Sequence, residues 1–98
     1  MRVGTIIEAE EFPKANNPSY KLTIDFGPLG IKRSSAQITH LYNPETLVGQ
    51  QVIAVVNFPP KQIANFISEC LVLGTLGDQK VITLLQPEQK VENGLRIA

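Results

Sequence analysis

An all-β domain built around a small closed barrel is what this 98-residue sequence predicts, and three observations carry that expectation. Apolar residues recur mostly at every second position, the spacing of strands, rather than at three and four. Gly, Pro and Asn fall in short clusters that cut the alternation into strand-length pieces. A single convincing helical signal, NPETLVG from Asn43 to Gly49, stands near the middle of the chain.

The elements follow in order. Val3 to Glu10 predicts a strand with Glu8 and Glu10 on one side, and Phe12 to Ser19, with Pro13, Asn16, Asn17 and Pro18, predicts a loop. YKLTIDF is the clearest half-buried strand: Tyr20, Leu22, Ile24 and Phe26 point one way, Lys21, Thr23 and Asp25 the other. GPLG, Gly27 to Gly30, is a tight turn into a partner strand from Ile31 to Ala36. Gln37 to Tyr42 reads as irregular or short helical structure. Asn43 then suits an N-cap, Pro44 the first helical position and Glu45 the positive end of the dipole, with Gly49 stopping the turn. QVIAVV is apolar at successive positions and predicts a strand covered on both faces. Pro59 and Pro60 break it, so NFPPKQIAN is expected to be a loop. Phe66 to Leu73 is the next expected strand, Gly74 to Asp78 a turn, and Lys80 to Leu85 a further strand. Asn93-Gly94 turns sharply into the closing LRIA.

Short strands around one central helix describe a five-stranded OB-fold barrel with the helix between its third and fourth strands and additional C-terminal strands. An SH3-like barrel is the alternative, but it does not predict the helix at Pro44. One domain, 1–98, is expected at this length.

Composition narrows the function classes. Nine basic and nine acidic residues balance to zero, so the chain as a whole does not attract a polyanion. The middle is less even. From Phe12 to Ser68, Lys14, Lys21, Lys32, Arg33 and Lys61 stand against Asp25 and Glu45, a net +3. The single Cys70 has no disulfide partner and sits in an apolar run, which suits a small packed hydrophobe in a reducing compartment. No apolar run reaches the roughly 18–20 residues of a membrane span, and the expected place is the cytoplasm.

NFISECLVLG, Asn65 to Gly74, places Ser68 and Glu69 inside a buried-strand pattern. A serine nucleophile wants a histidine base, and the only histidine is His40, with no nucleophile-elbow glycines around Ser68. Catalysis therefore fails on inventory. Glu69 is expected to tie down backbone N–H groups of an adjacent loop, with NFPPKQIAN as its partner, so that Ser68 and Glu69 form a structural brace. His40 has no second ligand for a metal, and no phosphate loop or cofactor motif is present. Lys32 and Arg33 are adjacent on one strand and point to opposite faces, so only one of them shares a surface with Lys21. Together with Lys14 and Lys61 these cations form a candidate phosphate-contacting set. Six aromatic residues and no tryptophan favour recognition of a folded RNA over stacking on single strands. Phe58, Pro59, Pro60 and Ile63 form an apolar loop that marks a binding surface or a subunit interface. Ser34, Ser35, Gln37 and Asn57 are the polar groups expected near it.

RVGTIIEAEEFPKANNPSYKLTIDFG, KRSSAQIT, VVNFPP, SECLVLG and LLQPEQKVENGLRI, in that order from Arg2 to Ile97, resemble the CsaA family. These are small export-related chaperones within the larger set of tRNA-binding OB-fold domains that includes the C-terminal domain of methionyl-tRNA synthetase. The resemblance implies a homodimeric OB-fold that catalyses nothing and binds other macromolecules: unfolded or pre-export polypeptides, and tRNA. Members of that family usually carry a short leading segment before the residues matching Arg2 to Gly4, whereas this sequence opens at Met1. Cys70 stands where an aliphatic residue or methionine is expected.

Overall fold

The computed structural model describes residues 1–98. The first strand, β1 (Arg2–Glu11), runs antiparallel to β2 (Tyr20–Asp25), from Thr5 opposite Asp25 to Glu11 opposite Tyr20. A bulge between Ile6 and Glu8 takes up Ile7. That extra residue reverses the alternation, so Ile6 is buried while Glu8 and Glu10 both stay outside. On β2 the predicted alternation holds: Leu22, Ile24 and the following Phe26 are fully buried, and each such side chain contributes about 2–3 kcal/mol by leaving water.

A 3₁₀ turn at Gly27–Leu29 leads into β3 (Ile31–Ala36), which pairs with β2 along its whole length. The helix α1 (Pro44–Leu47) starts where its signals predict. Asn43 Oδ1 accepts from the Thr46 N–H at 3.0 Å, Thr46 Oγ1 accepts from the Asn43 N–H at 3.4 Å, and Leu47 is buried in the core. β4 (Gln51–Val55) then pairs with Arg2–Thr5 on the other edge of β1.

Beyond β4 the chain departs from the sequence expectations. NFPPKQIAN is not all loop: Lys61–Ile63 is a strand, β5, joined to β6 (Phe66–Ser68) by a two-residue turn at Ala64 and Asn65. The proline pair ends β4 but leaves a pairable segment after it. The expected Phe66–Leu73 strand is broken at Glu69 and Cys70, and only Leu71–Val72, β7, continues as strand, now against β4. Ser68 Oγ donates to the Cys70 carbonyl at 3.2 Å, a local bond that bends the chain and lets it change partner. Gly74–Leu76 is a strand, β8, and not a turn; it pairs with β9 (Ile82–Leu84), and the turn moves to the residues between them. Gly74 serves close approach here, since a Cβ would lie 2.6 Å from Ile82 Cγ2 and 2.8 Å from the Thr83 carbonyl oxygen.

The main sheet has the order β3-β2-β1-β4-β7, with α1 between the third and fourth strands, and curls into a nearly closed OB-type barrel. β5-β6 and β8-β9 are separate two-stranded appendages. Ser68, Glu69 and Cys70 close the seam. The Glu69 N–H donates to the Arg33 carbonyl at 2.7 Å, and the Arg33 N–H donates to Glu69 Oε1 at 3.0 Å. Ser34 Oγ donates to the Cys70 carbonyl at 3.0 Å, and the Ser35 N–H donates to Ser68 Oγ at 3.3 Å. Glu69 is thus a brace, but it ties down strand β3 and not the NFPPKQIAN loop. The reason is geometric: after Ser68 the bent chain crosses β3, where unpaired backbone groups of an edge strand need partners.

The C-terminal segment seals the other end. The Gly94 N–H donates to the Val3 carbonyl at 2.7 Å, the Val3 N–H to the Leu95 carbonyl at 3.0 Å, and the Ile97 N–H to the Met1 carbonyl at 3.0 Å. Gln51 fastens the same segment: Nε2 donates to the Val91 carbonyl at 2.7 Å and Oε1 accepts from the Val91 N–H at 3.0 Å.

Candidate binding cleft and cationic face

A cleft of about 590 Å³ opens beside the β5-β6 appendage. Ala15, Asn16, Asn17 and Ser19 of the loop after β1 face it, as do Phe58, Lys61, Ile63 and Ala64, and Ser35, Ser68 and Cys70 are part of its lining. No carboxylate lines it, and Lys61 is its one cation. The result is an apolar group around Phe58 and Ile63 combined with amide and hydroxyl groups from Asn16, Asn17, Ser35 and Gln37. Such a surface accepts apolar side chains and hydrogen-bonds a backbone or another amide-like edge.

Of the residues predicted for an apolar site, Ser35, Gln37, Phe58 and Ile63 are brought together in this cleft. Ser34 is not available, because it is fully buried and its hydroxyl is committed to the Cys70 carbonyl. Asn57, Pro59 and Pro60 are exposed but do not line the cleft. Asn16, Asn17 and Ser19 were not singled out by sequence reasoning. They lie in a Pro/Asn-rich loop whose composition announces a turn but not what it faces.

The five cations separate. Arg33 stands opposite Thr23, and Lys21 opposite Ser35, on the outer face of β2 and β3. Lys32 stands opposite Ile24 and points to the other face, as adjacent strand positions must. Lys14 is an exposed loop residue, and Lys61 borders the cleft. Lys21 is half-buried and pairs with Glu10 at 3.5 Å, the one ion pair in the structure. It also lies 5.5 Å from the Phe12 ring centre and 5.9 Å from that of Phe66. These two rings are buried and tilted at 59° with their centres 5.4 Å apart. The Arg33 guanidinium carbon sits 4.4 Å over the Phe66 ring. Two cations thus cover a small aromatic cluster outside the barrel core.

His40 is exposed and does not line the cleft that contains Ser68. No group of three or more His, Cys, Asp or Glu residues is placed to hold a metal ion. Cys70 is 1% exposed, and its burial pushes the thiol up from 9.0 to about 11; nearby Glu69 adds to the shift, while the Ser34 hydroxyl and Lys32 oppose it. A thiol held neutral and enclosed is a packing group. No helix is long and apolar enough to cross a membrane.

Residues 1–96 match the family model described as "Putative tRNA binding domain". Among solved structures, the chaperone CsaA of Bacillus anthracis is 56% identical with a TM-score of 0.95, over 99% of this chain and 88% of that one. The CsaA chaperone protein of Picrophilus torridus is 53% identical with a TM-score of 0.92, over 99% and 89%. The methionine–tRNA ligase of Methanocaldococcus jannaschii is 31% identical over 97 residues, and this chain spans only 15% of that enzyme's length. The matched family is one of binding domains, with no catalytic constellation among the residues described above. On sequence, register and barrel closure together, the chain belongs to the tRNA-binding-domain family and is similar to its CsaA members.

Proposed function

We propose that this is a non-enzymatic, cytoplasmic binding protein that acts as a homodimer and holds unfolded or pre-export polypeptides in the Phe58–Ile63 cleft. The observation that carries the reading is the cleft itself: apolar groups beside uncharged hydrogen-bonding groups, with no carboxylate. That combination takes an extended segment by its side chains and its backbone together. The high identity to proteins named as chaperones supports the same reading. Export is implied by the family resemblance alone. A buried unpaired thiol supports a reducing compartment. Dimerisation is supported by a large apolar side chain left in water outside the cleft, Leu76 at 74% exposed on β8.

Titration with a permanently unfolded, reduced and carboxymethylated polypeptide tests the proposal. Binding is expected to persist in high salt and to weaken about tenfold in Phe58→Ala, the loss of a well-packed anchor. Absence of binding below millimolar concentration overturns it. Light scattering at micromolar concentration is expected to give twice the 10.8 kDa chain mass, and a single-chain mass refutes the dimer.

A second reading is tRNA binding, supported by the family match and by Lys14, Lys32, Arg33 and Lys61, none of which has an ion-pair partner. Lys21 belongs to the same candidate set but is already paired with Glu10. Affinity for a tRNA transcript is expected to fall with salt, and replacing Lys14, Lys32 and Lys61 together should flatten that dependence.

A further inference from the structure

We propose that Arg33, held over the Phe66 ring, is a stacking platform for one unpaired nucleobase of a bound RNA, an inference that rests on the tRNA-binding reading. Three observations converge on it. First, the platform is rigid at its root. The Arg33 N–H and carbonyl are both bonded to Glu69, at 3.0 and 2.7 Å, so the residue cannot swing with a loose strand edge. Second, its planar head is pinned on one side only. The guanidinium carbon lies 4.4 Å over a ring that is 3% exposed, while Arg33 itself is exposed and forms no side-chain hydrogen bond or ion pair. A guanidinium is weakly hydrated and stacks on flat π-systems, and its outward face is left for a second one.

Third, the surroundings disfavour a phosphate. Glu8, Glu10 and Asp25 share the outer sheet face with Lys21 and Arg33, which gives that face a net charge of −1. A backbone-tracking groove needs the opposite sign. An uncharged base does not. Thr23 directly across the ladder and Ser35 two residues along supply hydroxyls for its edges. Neither Arg33 nor Phe66 lines the peptide-accepting cleft, which meets this face only at Ser35.

The test compares wild type, Arg33→Lys and Arg33→Gln for binding of a tRNA transcript, of a fully paired RNA duplex, and of the unfolded polypeptide, each over a range of salt. Arg33→Lys keeps the charge and loses the plane. It is expected to weaken tRNA binding between about 5- and 150-fold, the loss that one stacked base carries. The salt slope for tRNA, the duplex affinity and the polypeptide affinity should all stay at wild-type values, as should the melting temperature. Unchanged tRNA affinity in Arg33→Lys overturns the platform, because charge alone then suffices. A salt slope reduced by about 0.7–0.9 in Arg33→Gln also overturns it, because that is the signature of a lost phosphate contact. So does an equal loss on the duplex, or a loss confined to the polypeptide. If wild type binds no tRNA at all, the tRNA reading itself fails, an outcome distinct from a variant that matches a binding wild type.

Discussion

Ala64 is the clearest single position at which side chain and backbone disagree. It holds φ +52° in the two-residue turn between β5 and β6, a conformation that costs a residue with a Cβ about 1 kcal/mol. Ala64→Gly removes that strain while loosening the unfolded chain, and the net expectation is a gain of about 0.5 kcal/mol in urea unfolding. Cys70 gives a prediction in pH. A folded thiol at about 11 against an ordinary 9.0 means that the folded state keeps its proton longer than the unfolded one. The stabilisation is therefore complete below pH 9.0 and is lost as pH rises towards 11, and a melting series across that window should show a larger drop in wild type than in Cys70→Ala. At this scale the sequence was informative about burial and silent about partners. The period-two pattern sets Ser68 with Phe66 and Cys70, all three buried, and Glu69 with Ile67 and Leu71, which the structure leaves exposed. Nothing local says that Glu69 bonds to Arg33, because that contact joins residues 36 apart in the chain.

The cleanly alternating strand β2 and the helix with its cap were legible because local chemistry decides them. The β5-β6 and β8-β9 hairpins were not, because glycine and proline carry two meanings. Gly74 reads as a turn but permits close strand contact, and the Pro59-Pro60 pair ends one strand immediately before another begins. The seam formed by Ser68, Glu69 and Cys70 is the element on which barrel closure depends. Glu69→Ala leaves the Arg33 N–H without its acceptor and is expected to cost about 1–2 kcal/mol by urea unfolding, whereas Glu69→Gln, which keeps an acceptor oxygen, should cost less than half of that. Gln51 makes the analogous prediction at the opposite end. It is 8% exposed and exchanges two bonds with the backbone of Val91, so Gln51→Ala is expected to lose about 2–3 kcal/mol and to speed amide exchange in residues 91–97.

Viewed whole, the molecule divides its work between a barrel and its additions. The barrel itself was readable from the spacing of its strands and from the position of α1. The cleft was readable only in part: Ser35, Gln37, Phe58 and Ile63 were picked out, whereas Ala15, Asn16, Asn17 and Ser19 were not, because a loop's composition does not say which distant segments it faces. The expected basic surface dispersed for a similar reason: Lys32 turns inward from Arg33, and Glu10 comes across from β1 to meet Lys21. The bridge between Val3 and residues 94–97 carries its own consequence. Met1 and Ile97 are hydrogen-bonded neighbours, so linking these two residues and opening the chain at an exposed turn should yield a rearranged molecule that still folds. By the same logic the opening residues, Met1 to Val3, complete their ladder only when residues 94–97 are in place, so deleting those four should let that end fray while the pairing of Thr5–Glu11 with β2 stays intact.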